Sequence, residues 1–277
     1  DQQGDLHPTL PAPPRVLTRE TAMQADTSAR GTGNPRDLPS AMADRLIVAL
    51  DVPSIRQAEV LVDALDGVVA FFKIGLWLAF AEGVDGLIRR LIDGRKQVFL
   101  DAKMYDIGKT VEEGVARAAD RGVSFVTVHG DRRIMEAAVS GKRGRDLKIF
   151  AVTVLTSLDD ATLRSMGYGV TAQELVQLRV RDAIACGCDG VIASAHDNPD
   201  AMRKLAGDEK LLFATPGIRG PDDPVDDHRR SADAATAIAQ GADYLVVGRP
   251  VIGHADAAAR ARKIIADMQA GQPRTAG

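Results

Sequence analysis

The chain has 277 residues, of which 45% are hydrophobic and 26% charged, with a formal net charge of −3. That length suits one large α/β barrel or two smaller domains. The near-neutral balance leaves no electrostatic footprint for general nucleic-acid binding. No apolar run is long enough for a membrane-crossing helix.

Residues 1–41 are rich in Pro, Gly, Thr and Ser and lack sustained periodicity. Such a stretch buries too little apolar surface to offset its ordering entropy, so a disordered N-terminal extension is expected. It has no apolar core of a secretory signal, and its several acids argue against a transit peptide. The folded region is expected from Met42, in MADRLIVALD, to residue 272, leaving 273–277 as a tail. A cytoplasmic location is expected.

From Arg45 onward, short β-rich runs alternate with longer helical patterns. The runs are RLIVALD, VAFFKIG, QVFLDAK, SFVTVHG, KIFAVTVLTS, DGVIASA, LLFATPG and DYLVVGR. They are almost continuously apolar, as parallel strands covered by helices should be. Between them, Ser54 with Gln57 and Thr171 with Glu174 fit capping boxes. Asn198 before Pro199 fits an N-cap with a first-turn proline, and Gly94, Gly122 and Gly187 sit where helices should stop. Eight such repeats in about 230 residues predict a closed (β/α)8 TIM barrel, a single domain, over an open doubly wound sheet. No G-x-G-x-x-G follows the first run, which also counts against a dinucleotide fold. The two cysteines, Cys186 and Cys188 in ACGCDG, lack a second ligand pair, so they are read as reduced thiols at a helix–strand junction.

Polar residues recur at one place in each repeat. Asp51, Lys73, Asp101, Lys103, His129, Thr156 and Arg249 all fall at or just past the C-terminal ends of predicted strands. In a closed barrel those ends form one rim, where sites of this fold lie. The densest segment is FLDAKMYDIGKT, residues 99–110. Strand alternation puts Asp101 and Lys103 on the same side, with Asp106 just beyond. A carboxylate and an ammonium on a buried face are costly unless paired or in use. With Lys73, they form an alternating array that can hold an anion beside a proton donor. The last two runs lead into TPGIRG and GRP, where Gly217, Arg219, Gly248 and Arg249 offer close backbone approach and forked donors to a phosphate.

Taken in order, LIVALDVPS, FFKIG, FLDAKMYDIGKTV, VTVHG, VTVLTS, TPGIRG and YLVVGRP resemble the orotidine 5′-phosphate decarboxylase family in its bacterial form, across nearly all of residues 45–253. The D-x-K-x-x-D element alone would define a wider group of phosphate-binding barrels; the strand-two lysine and the two phosphate loops narrow it. The resemblance implies decarboxylation of orotidine 5′-phosphate to uridine 5′-monophosphate, the last step of de novo UMP synthesis. It implies no metal, no organic cofactor, and a homodimer with sites at the interface. On these positions, Lys103 would protonate C6 as carbon dioxide leaves. Asp101 would sit near the departing carboxylate, with Lys73 and Asp106 completing the array. Asp106, Ile107 and Thr110 would serve the neighbouring subunit's site. Asp51 and Lys73 would bind ribose, Thr156 and Ser157 the pyrimidine, and Arg219, Gly248 and Arg249 the phosphate. Where bacterial relatives usually carry glutamine after the strand-seven arginine, this chain has His228, expected on the phosphate loop GPDDPVDDHRR, residues 220–230. That loop is expected to be mobile when empty and ordered around phosphate.

Three rival readings stand beside this one. Magnesium-dependent sugar-phosphate barrels share D-x-K-x-x-D but resemble a metal site with glutamate at the Lys73 position, where a cation would repel magnesium. A Schiff-base aldolase would want Lys73 or Lys103 in an apolar pocket rather than flanked by aspartates. A non-catalytic nucleotide-phosphate binder would have no use for the full Lys-Asp-Lys-Asp set. Trp77 is expected to pack in a helix or interface core.

Overall fold

The fold was read from a computed structural model, which describes residues 36–220, 223 and 231–272. Eight parallel strands close in sequence order: β1 (Leu46–Ala49), β2 (Phe71–Gly75), β3 (Gln97–Met104), β4 (Phe125–His129), β5 (Lys148–Val152), β6 (Gly190–Ile192), β7 (Leu212–Thr215) and β8 (Tyr244–Val247), with β1 also paired to β8. The barrel expected from the eight apolar runs is therefore the fold observed, and each run supplies one strand.

Helices cover the outside. They are α1 (Ile55–Ala64), α2 (Leu76–Ala79), α3 (Val84–Asp93), α4 (Gly108–Asp120), α5 (Arg132–Gly141), α6 (Asp160–Ser165), α7 (Ala172–Cys186), α8 (Pro199–Ala206), α9 (Ala234–Ala239), α10 (Arg249–Ile252) and α11 (Ala257–Ala270). The boundary signals act locally. Thr171 and Glu174 form a reciprocal capping box at the start of α7, and Asn198 accepts the Ala201 N–H ahead of Pro199 at the start of α8. Ser54 accepts from the Gln57 N–H at 3.3 Å, but among the described residues no return bond from Gln57 completes a box at α1. A neutral glutamine amide gains less from reaching back than a glutamate carboxylate does.

Strand parity divides the core into two layers. Phe72, Ile74, Val98, Val126 and Ile149 face the helices in the outer layer. Phe71, Phe99, Phe125, Phe150 and Tyr244 fill the barrel interior with Ile47, Ala49 and Ala214. Phe125 is the hub, with ring centroids 4.8 Å from Phe71, 4.5 Å from Phe150 and 5.1 Å from Tyr244. Edge and offset ring contacts of this kind add about 0.5–1.5 kcal/mol per pair beyond burial. This plug fills the barrel beneath the upper rim.

Below the plug lies a buried ionic knot. Arg203 on α8 is fully buried and pairs with Asp243, just ahead of β8. Arg45 donates to the carbonyls of Asp243 and Ala242 at 2.6 and 3.0 Å. Upstream of Met42, Arg36 pairs with Asp243 at 3.2 Å, and Leu38 packs against the interior layer.

Among the described residues no helix is long and apolar enough to cross a membrane. Cys186 and Cys188 are free thiols at the α7–β6 junction, and burial pushes Cys188 up to about 12.

Candidate active site

Two residues above the aromatic layer, the same inward faces turn polar. Phe71 is followed on its face by Lys73, Phe99 by Asp101, and Phe125 by Thr127. Asp101 is the centre. Its Oδ1 accepts from Lys103 Nζ at 2.7 Å and from Thr127 Oγ1 at 2.8 Å, and its Oδ2 faces Lys73 Nζ at 3.3 Å. Lys73 Nζ also donates to Asp51 Oδ1 at 3.1 Å. The chain Asp51–Lys73–Asp101–Lys103 thus alternates in charge across β1, β2 and β3. Burial opposes ionisation of Asp101, but the ammoniums of Lys73 and Lys103 outweigh it. Hydrogen bonds from Lys103 and Thr127 add to them, so the carboxyl is held below its usual range.

The route that places Lys103 differs from simple alternation. In the β3–β4 ladder Leu100 faces Val126 and Met104 faces Val128, so Asp101, Ala102 and Lys103 oppose Thr127 alone. Strand β3 bulges, and Lys103 adopts φ 45°, a left-handed conformation that costs an L-residue about 1–2 kcal/mol. Bulges of this kind re-aim a side chain next to a site. The Lys103 side chain is 41% exposed where Asp101 is buried, so the ammonium stands at the mouth of the array.

Gly75 makes the packing of this array possible. A Cβ there would lie 2.7 Å from Asp51 Oδ1 and 3.1 Å from Lys73 Nζ, so a side chain at this position would push both from their places in the array.

A cavity of about 580 Å³ opens over the array, a size suited to a small organic ligand. Asp51, Lys73, Asp101, Lys103, Thr156, Ser157, Arg219, Gly248 and Arg249 all line it. Residues named from six different strand ends therefore meet in one space. Gly217, also on its wall, has φ 77° and turns the chain from β7 toward Arg219. Asp106, Ile107 and Thr110 do not line this cavity. All three are exposed at the start of α4, and the Asp106 carboxylate accepts the Ile107 N–H at 2.6 Å. His228 lies outside the described residues, as does most of the loop 220–230; its base is anchored where Asp223 accepts from Arg260 at 2.7 Å and from the Gly220 N–H at 2.6 Å. Among the described residues no cluster of three or more His, Cys, Asp or Glu is spaced to hold a metal.

His129 is half-buried beside the Tyr105 ring, with centroids 4.5 Å apart. Burial, followed by the nearby Arg179 guanidinium, lowers its proton affinity. It is not among the residues lining the cavity. Two participants escaped the sequence reading. Thr127 is fully buried beneath Asp101; the signal for it is its inward parity two residues before His129. Trp77, expected in a helix or interface core, lies in the single-turn helix α2 at the rim, where it is 60% exposed in the single chain and lines the cavity.

Comparison with known proteins fits this geometry. The sequence pattern of the orotidine 5′-phosphate decarboxylase / HUMPS family matches residues 44–264. Orotidine 5′-phosphate decarboxylase of Afipia carboxidovorans is 47% identical over 230 residues, 83% of this chain and 97% of that one. The enzyme of the same name from Bradyrhizobium sp. (strain ORS 278) is 48% identical over 228 residues, 82% of this chain and 93% of its own. The crystal structure of orotidine 5′-phosphate decarboxylase from Lactobacillus acidophilus superposes with a TM-score of 0.71 at 31% identity, covering 81% of this chain and 99% of that one. With a closed eight-stranded barrel, a charged array at its rim and these relatives, the chain belongs to the orotidine 5′-phosphate decarboxylase / HUMPS family.

Proposed function

We propose that this chain is a carboxy-lyase that converts orotidine 5′-phosphate to uridine 5′-monophosphate and carbon dioxide, in de novo pyrimidine synthesis, with Lys103 as the proton donor. The observation that carries the reading is the Asp51–Lys73–Asp101–Lys103 array on the wall of the rim cavity. The C6–carboxylate bond breaks, its electron pair stays on C6, and carbon dioxide departs. An Nζ–H of Lys103 then supplies the proton that C6 gains, and the amine recovers its own from solvent. The developing charge on C6 has no adjacent electron sink. A fixed ammonium meets it without the reorganisation that water would need. Asp101 holds that ammonium from below.

The remaining roles follow the cavity wall. Asp51 and Lys73 bind ribose hydroxyls, Thr156 and Ser157 the pyrimidine, and Arg219, Gly248 and Arg249 the phosphate, with His228 joining them from the loop. Phosphate binding far from C6 drives closure of that loop and helps assemble the site. Asp106, Ile107 and Thr110, exposed and outside the lining of this cavity, complete the site of a second copy in a homodimer. The barrel domain spans residues 42–272, flanked by an extension over 1–41 and a tail over 273–277. The dimer acts in the cytoplasm without metal or organic cofactor.

The test is loss of orotidine 5′-phosphate followed by ultraviolet absorbance, with and without exhaustive chelation. Activity is expected in both. Lys103→Ala is expected to lose it by on the order of 10⁴-fold while uridine 5′-monophosphate still binds. Near-normal turnover in Lys103→Ala, or dependence on added magnesium, would overturn the reading.

A further inference from the structure

We propose that Thr127 is the positioning residue of the catalytic array: one hydroxyl fixes the Asp101 carboxylate and pins the β3 bulge that aims Lys103. The inference rests on Lys103 being the proton donor.

Thr127 Oγ1 makes two bonds of opposite sense. It donates to Asp101 Oδ1 at 2.8 Å and accepts the Lys103 backbone N–H at 2.9 Å. The hydroxyl proton is therefore committed to the carboxylate and an oxygen lone pair to the amide. No other side chain among the described residues is bonded both to Asp101 and to the Lys103 main chain.

The ladder explains why a side chain is needed here. Three residues of β3 oppose Thr127 alone, so the Lys103 N–H is lifted away from the backbone carbonyl it would use in regular pairing. A partly buried N–H without a partner is costly. The Thr127 hydroxyl takes the place of that carbonyl. Lys103 at the same point holds φ 45°. A strained bulge of this kind persists only where its surroundings over-determine it. Thr127 is fully buried and β-branched, so its own rotamer is restricted. The hydroxyl is a rigid peg rather than an adjustable contact.

The second bond sets the carboxylate. Lys103 Nζ and Thr127 Oγ1 converge on Oδ1 while Lys73 approaches Oδ2, so the three donors fix both the position and the rotation of the carboxylate plane. Without the Thr127 bond the plane can turn, and the ammonium that follows Oδ1 turns with it. Displacement of a positioned acid by a fraction of an ångström acts on the chemical step more than on ligand binding.

Three variants test the assignment. Thr127→Val keeps the shape and removes the hydroxyl, Thr127→Ser keeps the hydroxyl and removes the methyl, and Thr127→Cys offers a weak donor of similar size. Thr127→Val is expected to lower kcat by about 10- to 100-fold, the effect of one hydrogen bond to a charged group. KM and uridine 5′-monophosphate affinity should change by less than about 3-fold. Thr127→Ser is expected to recover kcat to within about 3-fold of wild type, with Thr127→Cys between the two. If Thr127→Val does not fold, the order wild type, Ser, Cys decides. A wild-type kcat in Thr127→Val, or in Thr127→Cys if Val does not fold, overturns the assignment, as does an equal fall in kcat and affinity in every variant. Lys103→Ala measured alongside separates the two ideas. Full activity in Lys103→Ala sinks the proton-donor reading itself, whereas inactive Lys103→Ala with unimpaired Thr127→Val sinks only the positioning role.

Discussion

Two buried ionic clusters sit at opposite ends of the same barrel, and they spend their hydrogen bonds differently. In the floor knot, Arg203 is fully buried, donates to the Leu211 and Gly241 carbonyls at 2.8 Å each, and stacks over Phe213 at 4.7 Å. Asp243, in turn, accepts the Phe213 N–H at 2.8 Å. Arg203 and Arg45 place four of their bonds on main-chain carbonyls and the rest on the Asp243 and Asp200 carboxylates, so the knot ties α8, β7 and β8 together. At the rim, Lys73 and Lys103 bond only to carboxylates among the described residues, and they line an open cavity. Burial and pairing alone do not tell a structural cluster from a catalytic one. Whether the donors end on backbone or beside an opening does.

The comparison breaks most visibly under paired substitutions. Lys103→Ala is expected to remove turnover and leave the melting temperature near wild type, since a 41% exposed side chain carries little packing. Asp243→Ala is expected to do the reverse. It removes the carboxylate that pairs with Arg203 and Arg36, leaving the Arg45 bonds to main-chain carbonyls in place, and removing one partner of a buried pair costs about 3–5 kcal/mol. The protein that remains folded should turn over normally. Denaturant unfolding alongside kcat decides. A stable but inactive Asp243→Ala would mean that the floor sets the geometry of the rim.

A second pair of variants tests whether the rim cluster is complete in one chain. Lys103→Ala and Asp106→Ala are each expected to be inactive, and mixing them should restore activity. With random exchange about half the dimers are mixed and each holds one intact site, so about a quarter of wild-type activity should return. No recovery in verified heterodimers would place both residues in the same subunit's site.

Much of this contrast was legible in the residues, for physical reasons that differ by position. The strands stood out because parallel strands buried on both faces must be apolar throughout, and RLIVALD and SFVTVHG are. Asp51, Lys73, Asp101 and Arg249 stood out because a charge closing such a run has few structural uses. Asp101 and Lys103 were assigned to one side by alternation, yet what brings them together is a bulge with Lys103 at φ 45°. Backbone of that kind leaves no trace in residue type when the residue is lysine. Thr127 was hidden for another reason: a threonine inside a β-rich run is an ordinary strand former. Its role exists only because the opposite strand carries extra residues. Gly75 and Trp77 were likewise decided by neighbours, one by the space Asp51 and Lys73 need, the other by a helix only four residues long.

The smallest expected effect concerns the far wall of the rim cavity, where charge is placed to hold a ligand rather than to react with it. Arg219 follows the positive-φ turn at Gly217, and its main chain is fixed by an N–H bond to the Ala232 carbonyl at 2.9 Å. Its Nη1 donates to the Ile218 carbonyl at 2.7 Å, which holds the guanidinium against the loop while it lines the cavity. A guanidinium fixed in this way is pre-organised for an anion, so its loss should appear as affinity. Arg219→Ala is expected to weaken uridine 5′-monophosphate by roughly 10- to 100-fold, since hydrogen bonds to a charged group are worth about 1.5–3 kcal/mol. Uridine has no dianion, so its affinity should change less than about 2-fold. His228→Gln, on the same loop, should be milder still, because an amide can replace an imidazole donor. The single tryptophan, Trp77, lines the cavity and gives a fluorescence signal for both ligands. Equal losses for nucleotide and nucleoside would mean that Arg219 supports the loop or the base, and that another part of the rim holds the phosphate.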